Sequence, residues 1–250
     1  MSIQDFNFQD PIDIQSAGRD VAAKSFVSRV FSWMFAGLMI TAVVAYLFAS
    51  VPSLNASMYV QDPSTGLPAG FTGLGWFAVF APLGLVLLMG YGMNKLSAMA
   101  MAGAFILYSF LMGMSMSVVF LVYLPSSIYK VFFITAAMFG TMAVLGYTTK
   151  TDLTKMGSFL YMALFGVIIA SLINFFTHSA QLDYILSFVC VAIFTGLTAY
   201  KMQKIRQMGE QIGLNADDTV GKMAIFGALS LYLSFVNLFM ALLRIMGNRR

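Results

Sequence analysis

The run GALSLYLSFVNLFMALLRIM, residues 227–246, decides the fold. It has the length of about 20 helical residues that crosses ~30 Å of hydrocarbon, and it is apolar on all sides rather than along one stripe. It reads as a membrane span. Ser234 and Asn237 give that span a polar middle. A basic loop precedes it, and before that loop stands a matching run, VAIFTGLTAYKMQKIR at 191–206, which ends on Lys201, Lys204 and Arg206.

The rest of the chain repeats the pattern. Of its 250 residues 60% are hydrophobic and only 10% charged, and the mean hydropathy is +0.84, which excludes an ordinary soluble domain. No charge falls between Arg29 and Asp62, Asp62 and Lys95, Lys95 and Lys130, Lys130 and Lys150, Lys155 and Asp183, Asp183 and Lys201, or Lys222 and Arg244. Each interval can hold one span of ~17 to 25 residues and none comfortably holds two. Transmembrane strands would alternate in polarity, whereas these runs do not, so the class is an all-α membrane protein with seven transmembrane helices. The single Cys190 sits among apolar neighbours and excludes an internal disulfide. The formal charge of +4 arises in loops, where it bears on orientation and anionic headgroups rather than nucleic acid.

Taken in order, residues 1–25 form a polar, exposed and partly disordered leader without the short basic start of a secretory signal, and 26–250 form one transmembrane domain. Spans are expected at about 26–49, 73–93, 96–122, 129–147, 158–176, 182–204 and 220–247. The connection at 54–72 holds prolines, glycines and Asp62 but no lysine or arginine, which places it away from the cytoplasm. With a cytoplasmic amino terminus, Arg19, Lys24, Arg29, Lys95, Lys150, Lys155, Lys201, Lys204, Arg206 and Lys222 lie inside, leaving Lys130, Arg244, Arg249 and Arg250 outside. A late re-entrant segment would instead carry the basic tail inside. Small residues recur four apart at Ala136 and Gly140, Gly166 and Ala170, Ala192 and Gly196, and Ala224 and Ala228, a spacing that lets helices approach closely in lipid.

Within the two late runs, GLTAYKMQKI at 196–205 and GALSLYLSFVNLF at 227–239 resemble the Bax inhibitor-1 family. In that family the sixth span typically ends G-L-x-A-Y-D-T-Q-K-I and the seventh reads G-A-L-x-L-Y-L-D-F-I-N-L-F. The resemblance runs from about Lys24 to the end, and implies a bacterial-type seven-span bundle with the seventh helix central. It also implies a pH-sensitive calcium leak, in which the paired aspartates share a proton beside the seventh helix. Here Lys201 and Ser234 stand in their places. The resemblance further implies a basic residue near the cytoplasmic end of the second span, Lys95, that pairs with the sixth-span acid when the path is closed. The expected function is therefore a calcium-leak-channel-like or membrane-homeostasis protein that lacks the acidic sensor and is silent or differently gated. The alternative is a non-conducting interaction protein that modulates a membrane-bound protease or the cell-death and stress machinery. The expected surroundings are a lipid bilayer, the bacterial inner membrane, with calcium as a doubtful ligand.

An ionisable group at membrane depth is expensive, so Lys201 needs an explanation. The favoured one is that it snorkels toward the headgroups, with Lys204 and Arg206 continuing a basic ridge; the other is that it points inward at the place of the family's acid. Ser234 and Asn237 can bond back to their own helix or across to a neighbour, and Asn174 is a further possible polar partner. His178, Ser179 and Asp183 include the residue types of a hydrolase relay, but adjacent residues in a short turn diverge and no nucleophile elbow surrounds them. One histidine cannot supply H-E-x-x-H, and every acidic residue lies outside the spans or at their edges. Neither enzymatic activity nor a cofactor is expected.

Overall fold

The computed structural model describes residues 11–61, 68–93, 95–212 and 218–249; the first ten residues of the leader, the middle of the outer connection, Asn94, Asp217 and Arg250 lie outside the described residues. Helices α1 (Pro11–Ser50) and α2 (Pro52–Met58) lead into a two-stranded antiparallel hairpin, β1 (Tyr59–Gln61) and β2 (Pro68–Phe71). There follow α3 (Gly73–Gly92), α4 (Ala98–Val122), α5 (Pro125–Thr148), α6 (Thr154–Thr177), α7 (Ala180–Ile212) and α8 (Asp218–Met246). Seven of these are long and apolar enough to cross a membrane, one in each charge-free interval, and the chain is an all-α multi-pass membrane protein.

Helix α8 is the centre. It packs against α1, α4, α5 and α7, and 67% of its most apolar stretch is buried, against 6% for α6, whose main packing is on α7. Lipid tails are as apolar as leucine, so burial cannot select this arrangement; close packing and internal hydrogen bonds must. One such bond set ties three helices. The Thr41 hydroxyl of α1 donates to the Ser109 carbonyl of α4 at 2.9 Å and lies 2.7 Å from the Tyr232 hydroxyl of α8. With the threonine proton committed to the carbonyl, Tyr232 is the donor in the second bond. Thr41→Val would strand a buried phenol and should lower stability by about 1 to 3 kcal/mol, whereas Tyr232→Phe removes only one bond and should lower it by about 1 kcal/mol. Thermal unfolding in detergent checks this order.

Small residues set the closest helix contacts, although the four-apart spacing identifies them only in part. Ala224 and Ala228 are fully buried on α8, but a Cβ at Gly140 or Gly166 would meet open space. Gly196 of α7, which the spacing names, lies against Leu160 of α6; other tight approaches fall outside it, with Gly146 of α5 against the backbone of Ala199 on α7 and Gly157 of α6 against the Tyr200 ring.

The leader and the outer connection differ from the sequence reading. Helix α1 runs unbroken from Pro11, and Ala22 and Ala23 are buried, the latter with its Cα 2.8 Å from where a Gly209 Cβ would stand. Residue 25 is therefore not a structural boundary, because the helix continues along the end of α7 before entering the span. The 54–72 connection folds as α2 and the hairpin, and packs Met58 and Tyr59 against Val44, Ala78 and Met114 in a second, smaller core. Tyr59 anchors it through a 2.8 Å bond between its hydroxyl and Ser117 Oγ.

The start of α1 and the end of α8 lie at opposite ends of the bundle. At one end the Asp218 carboxylate accepts the Ala98 amide at 3.0 Å, joining the starts of α8 and α4. At the other, the Leu124 amide donates to the Asn248 carbonyl at 3.0 Å, and the Asn248 amide to Ser127 Oγ at 3.2 Å. A continuous α8 that starts beside α4 and ends beside the α4–α5 turn runs the full length of the bundle.

Candidate functional site

Lys201 faces inward. It lies on α7 one helical turn past Leu197, which is fully buried, and this phase turns its stem toward α8. Its ammonium donates to Ser234 Oγ at 2.8 Å and to the Ser230 carbonyl at 3.0 Å. Lysine only donates, so the Ser234 oxygen accepts, and the serine proton turns to the Ser230 carbonyl of its own helix at 3.3 Å. Snorkelling is thereby corrected. Two oxygen acceptors on the facing helix, a serine hydroxyl and a carbonyl of one turn of α8, bond the cation within the protein.

The basic ridge dissolves for a similar reason. The Arg206 guanidinium donates to the Tyr147 carbonyl at 2.7 Å and to Glu210 at 2.8 Å, with Tyr147 stacked 5.3 Å beneath it. It closes α7 onto the end of α5. Of the three basic residues only Lys204 is exposed.

Gln203, which sequence reasoning passed over, is buried and accepts the Leu153 amide at 2.9 Å while donating to the Thr151 carbonyl at 2.8 Å. It fixes the α5–α6 loop on α7. Its signal was present in the quoted run: an amide two residues past Lys201 points to another face of the helix and, at membrane depth, needs partners of its own.

The other expected partners lie apart from this pair. Lys95 is exposed in the α3–α4 turn, and Met93 rather than Lys95 reaches the neighbourhood of Lys201. Asn174 caps the α6–α7 turn at the opposite end, where its carbonyl oxygen accepts the Ser179 amide at 3.1 Å. Asn237 is exposed and donates to its own helix at Leu233, 2.7 Å away. The three share a membrane with Lys201 and Ser234 but not a site.

His178 ends α6 in a left-handed conformation with φ of 49°, exposed to the outside of the bundle. Ser179 Oγ accepts the Leu182 amide at 3.3 Å, and Asp183 faces Arg244 at 3.6 Å. No relay joins them. Asp152, at the start of α6, accepts the Thr154 hydroxyl at 2.6 Å and the Thr154 amide at 2.9 Å, and these bonds hold its carboxyl below the usual carboxylate range. A depressed pKa contributes stability above the ordinary value that is lost as pH falls through the lowered one, so Asp152 does not switch near neutrality. Among the described residues, no three of histidine, cysteine, aspartate and glutamate converge as a metal site.

The arrangement is thus a half-buried cation bonded to neutral oxygens between the central helix and its closest neighbour. Comparison with known proteins places it in context. A family model described as "Inhibitor of apoptosis-promoting Bax1" matches residues 23–250. The chain is 41% identical to the protein called "Inner membrane protein YbhL" of Escherichia coli strain K12, over 91% of this chain and 93% of that protein. It is 40% identical to an uncharacterised protein of Borreliella burgdorferi, over 96% of this chain and 99% of that one. An uncharacterised membrane protein of Streptococcus pyogenes is 31% identical over 92% of this chain and 95% of its own. Matched along its whole transmembrane part by the family model and by relatives of the same length, this chain belongs to the Bax inhibitor-1 family of integral membrane proteins.

Proposed function

We propose that this chain is a member of the family in which the contact between α7 and α8 is closed by a cation, and that it does not leak calcium through that contact. The observation that carries this reading is the 2.8 Å bond from Lys201 to Ser234, at the two positions where the family motifs have aspartate. A divalent cation entering there meets a like charge in a medium of low dielectric, and no carboxylate in the spans attracts it. The chain is a non-enzymatic protein of the bacterial inner membrane on this reading, in keeping with the name of the Escherichia coli relative. Calcium uptake into proteoliposomes between about pH 6 and 8 tests it. Flux at the level of empty liposomes supports the reading, and a proton-dependent leak overturns it.

A second reading makes the chain a partner of another membrane protein, such as a membrane-bound protease. It is favoured by α6, which packs mainly on α7 and turns Phe159, Phe165, Phe175 and Phe176 outward. Crosslinking from α6 in native membranes, followed by pull-down, separates the two.

The basic residues at the end that holds the α3–α4 turn and the α5–α6 loop support a cytoplasmic position for that end. Single cysteines near Lys150 and at Asn248 should then label from opposite faces of the membrane, with Asn248 accessible from outside. Labelling of both from one face would refute a full seventh crossing.

A further inference from the structure

An ammonium has three N–H donors, and the bonds to Ser230 and Ser234 engage two of those of Lys201. Both acceptors are neutral. Among the described residues neither Lys201 nor Lys204 forms an ion pair: Glu210 pairs with Arg206, Asp218 with Lys222, and Asp183 with Arg244 at the far end. A half-buried charge at the membrane boundary without a counter-charge is unfavourable, so this corner of the bundle calls for an anion.

A cavity of about 150 Å³ adjoins it, lined by Met93 of α3, Tyr161 of α6, Tyr200, Lys201 and Lys204 of α7, and Phe226 of α8. The charged groups on this wall are cations, and the two tyrosines, which meet edge to face at 6.1 Å, add phenol hydroxyls that can donate. A cation would find no carboxylate here. An anionic group would find donors, and beside them the apolar surfaces of Met93 and Phe226.

Depth and access narrow the ligand. The 33 residues of α7 span about 50 Å, some 20 Å more than the hydrocarbon core, so its basic end emerges among the headgroups. Exposed Lys204 sits at that level, and Lys201 lies about 4.5 Å deeper, one turn into the membrane. Helix α6 packs on α7 and α3 on α4, and neither forms a substantial interface with α8 or with the other. The α8 face that carries Phe226, Ser230, Leu233 and Asn237 is accordingly half-buried or exposed along its length. The cavity thus continues into a lateral opening that a hydrocarbon chain can enter.

We propose that this cleft binds the phosphate headgroup of one anionic phospholipid at Lys201 and Lys204, with its acyl chain along the open face of α8 between α3 and α6. A hydrated free anion would gain nothing from the apolar wall or the lateral opening. A lipid uses both.

The test uses the full chain purified in a neutral detergent, titrated separately with phosphatidylglycerol, phosphatidylcholine and inorganic phosphate, and read by retained lipid in native mass spectrometry and by Tm. One phosphatidylglycerol should be retained per chain, and Tm should rise with it and not with the other two. Lys204→Gln combined with Tyr161→Phe leaves the Lys201–Ser234 bond in place and should weaken retention about five- to tenfold, since each basic group near an anionic headgroup contributes about one such factor. Lys201→Met should weaken it further. Equal retention by wild type and the Lys204–Tyr161 variant, or equal retention of phosphatidylcholine, overturns the proposal. An equal rise of Tm with inorganic phosphate assigns the cleft to a small free anion and also overturns it. Because no ion flux is read, failure here leaves the calcium reading untouched, and a calcium leak would leave this one untouched.

Discussion

Replacing Lys201 and Ser234 together by aspartate is expected to convert a protein without calcium flux into one with a proton-sensitive leak. The reason is the geometry of the pair. The Lys201 ammonium and the Ser234 hydroxyl are 2.8 Å apart, so two aspartates on the same backbone positions would face each other across the α7–α8 contact. The aspartate stem is shorter than that of lysine, so the two carboxylates would stand farther apart than this bond, yet facing one another at such a site they still disfavour double ionisation; one pKa rises and the pair can share a proton. The formal charge there falls from +1 to −1 with the shared proton or −2 without it, a change of two or three units. At the higher end of the range from about pH 6 to 8 the pair loses its proton, the carboxylates repel, and a divalent cation is attracted where it was repelled before. Flux into dye-loaded proteoliposomes should rise with pH across that range. Neither single substitution should reproduce it. Lys201→Asp removes the cation without making a pair. Ser234→Asp places a carboxylate beside Lys201, and the resulting ion pair locks the helices instead of opening them. The expectation fails if the wild-type chain already carries calcium with a midpoint between about pH 6 and 8.

The second large effect concerns packing. Gly146→Val should prevent α5 from seating on α7, because a Cβ at that position would overlap the Ala199 backbone, with the Ala199 Cα only 2.7 Å away. Backbone cannot rotate aside as a side chain can. Even Gly146→Ala should lower stability by about 1 to 3 kcal/mol, the usual consequence of overpacking, and lower Tm by about 2 to 4 °C for each of those kcal/mol. Valine adds two further methyl groups to the same overlap, so the folded fraction in detergent should collapse. Gly140→Ala, one and a half turns earlier on the same helix, is the control: its Cβ would meet nothing within 4 Å, and alanine favours the helix, so stability should hold or rise slightly. Ala199 immediately precedes Tyr200 and Lys201, so a seating defect at Gly146 should also disturb the cleft.

The sequence by itself determined the number, order and approximate bounds of the spans. Charge is so costly in hydrocarbon that Arg29, Asp62, Lys95 and the other charged positions partition the chain almost without reference to tertiary contacts, and each interval holds one long helix, although α1 and α7 run past their expected bounds. The two quoted runs likewise identified the family and the pair of positions where this chain departs from it. Composition did not reveal the hairpin behind Pro52, since a short outer loop with prolines and glycines is compatible with several folds.

What only the tertiary structure decided is where the polar side chains point. Lys201, Lys204 and Arg206 form one basic run in sequence, yet one bonds to Ser234, one is exposed, and one closes on Tyr147. Lys95, Asn174 and Asn237 were equally plausible partners by type, and none reaches Lys201. A long side chain at the membrane boundary can turn toward the headgroups or toward the protein at similar expense, and the outcome depends on whether a facing helix presents an acceptor at the right height. Here α8 presents the Ser234 hydroxyl and the Ser230 carbonyl on one turn. That coincidence of phase between two helices, brought close by the packing of α7 against α5 and α8, is written in no single stretch of the chain.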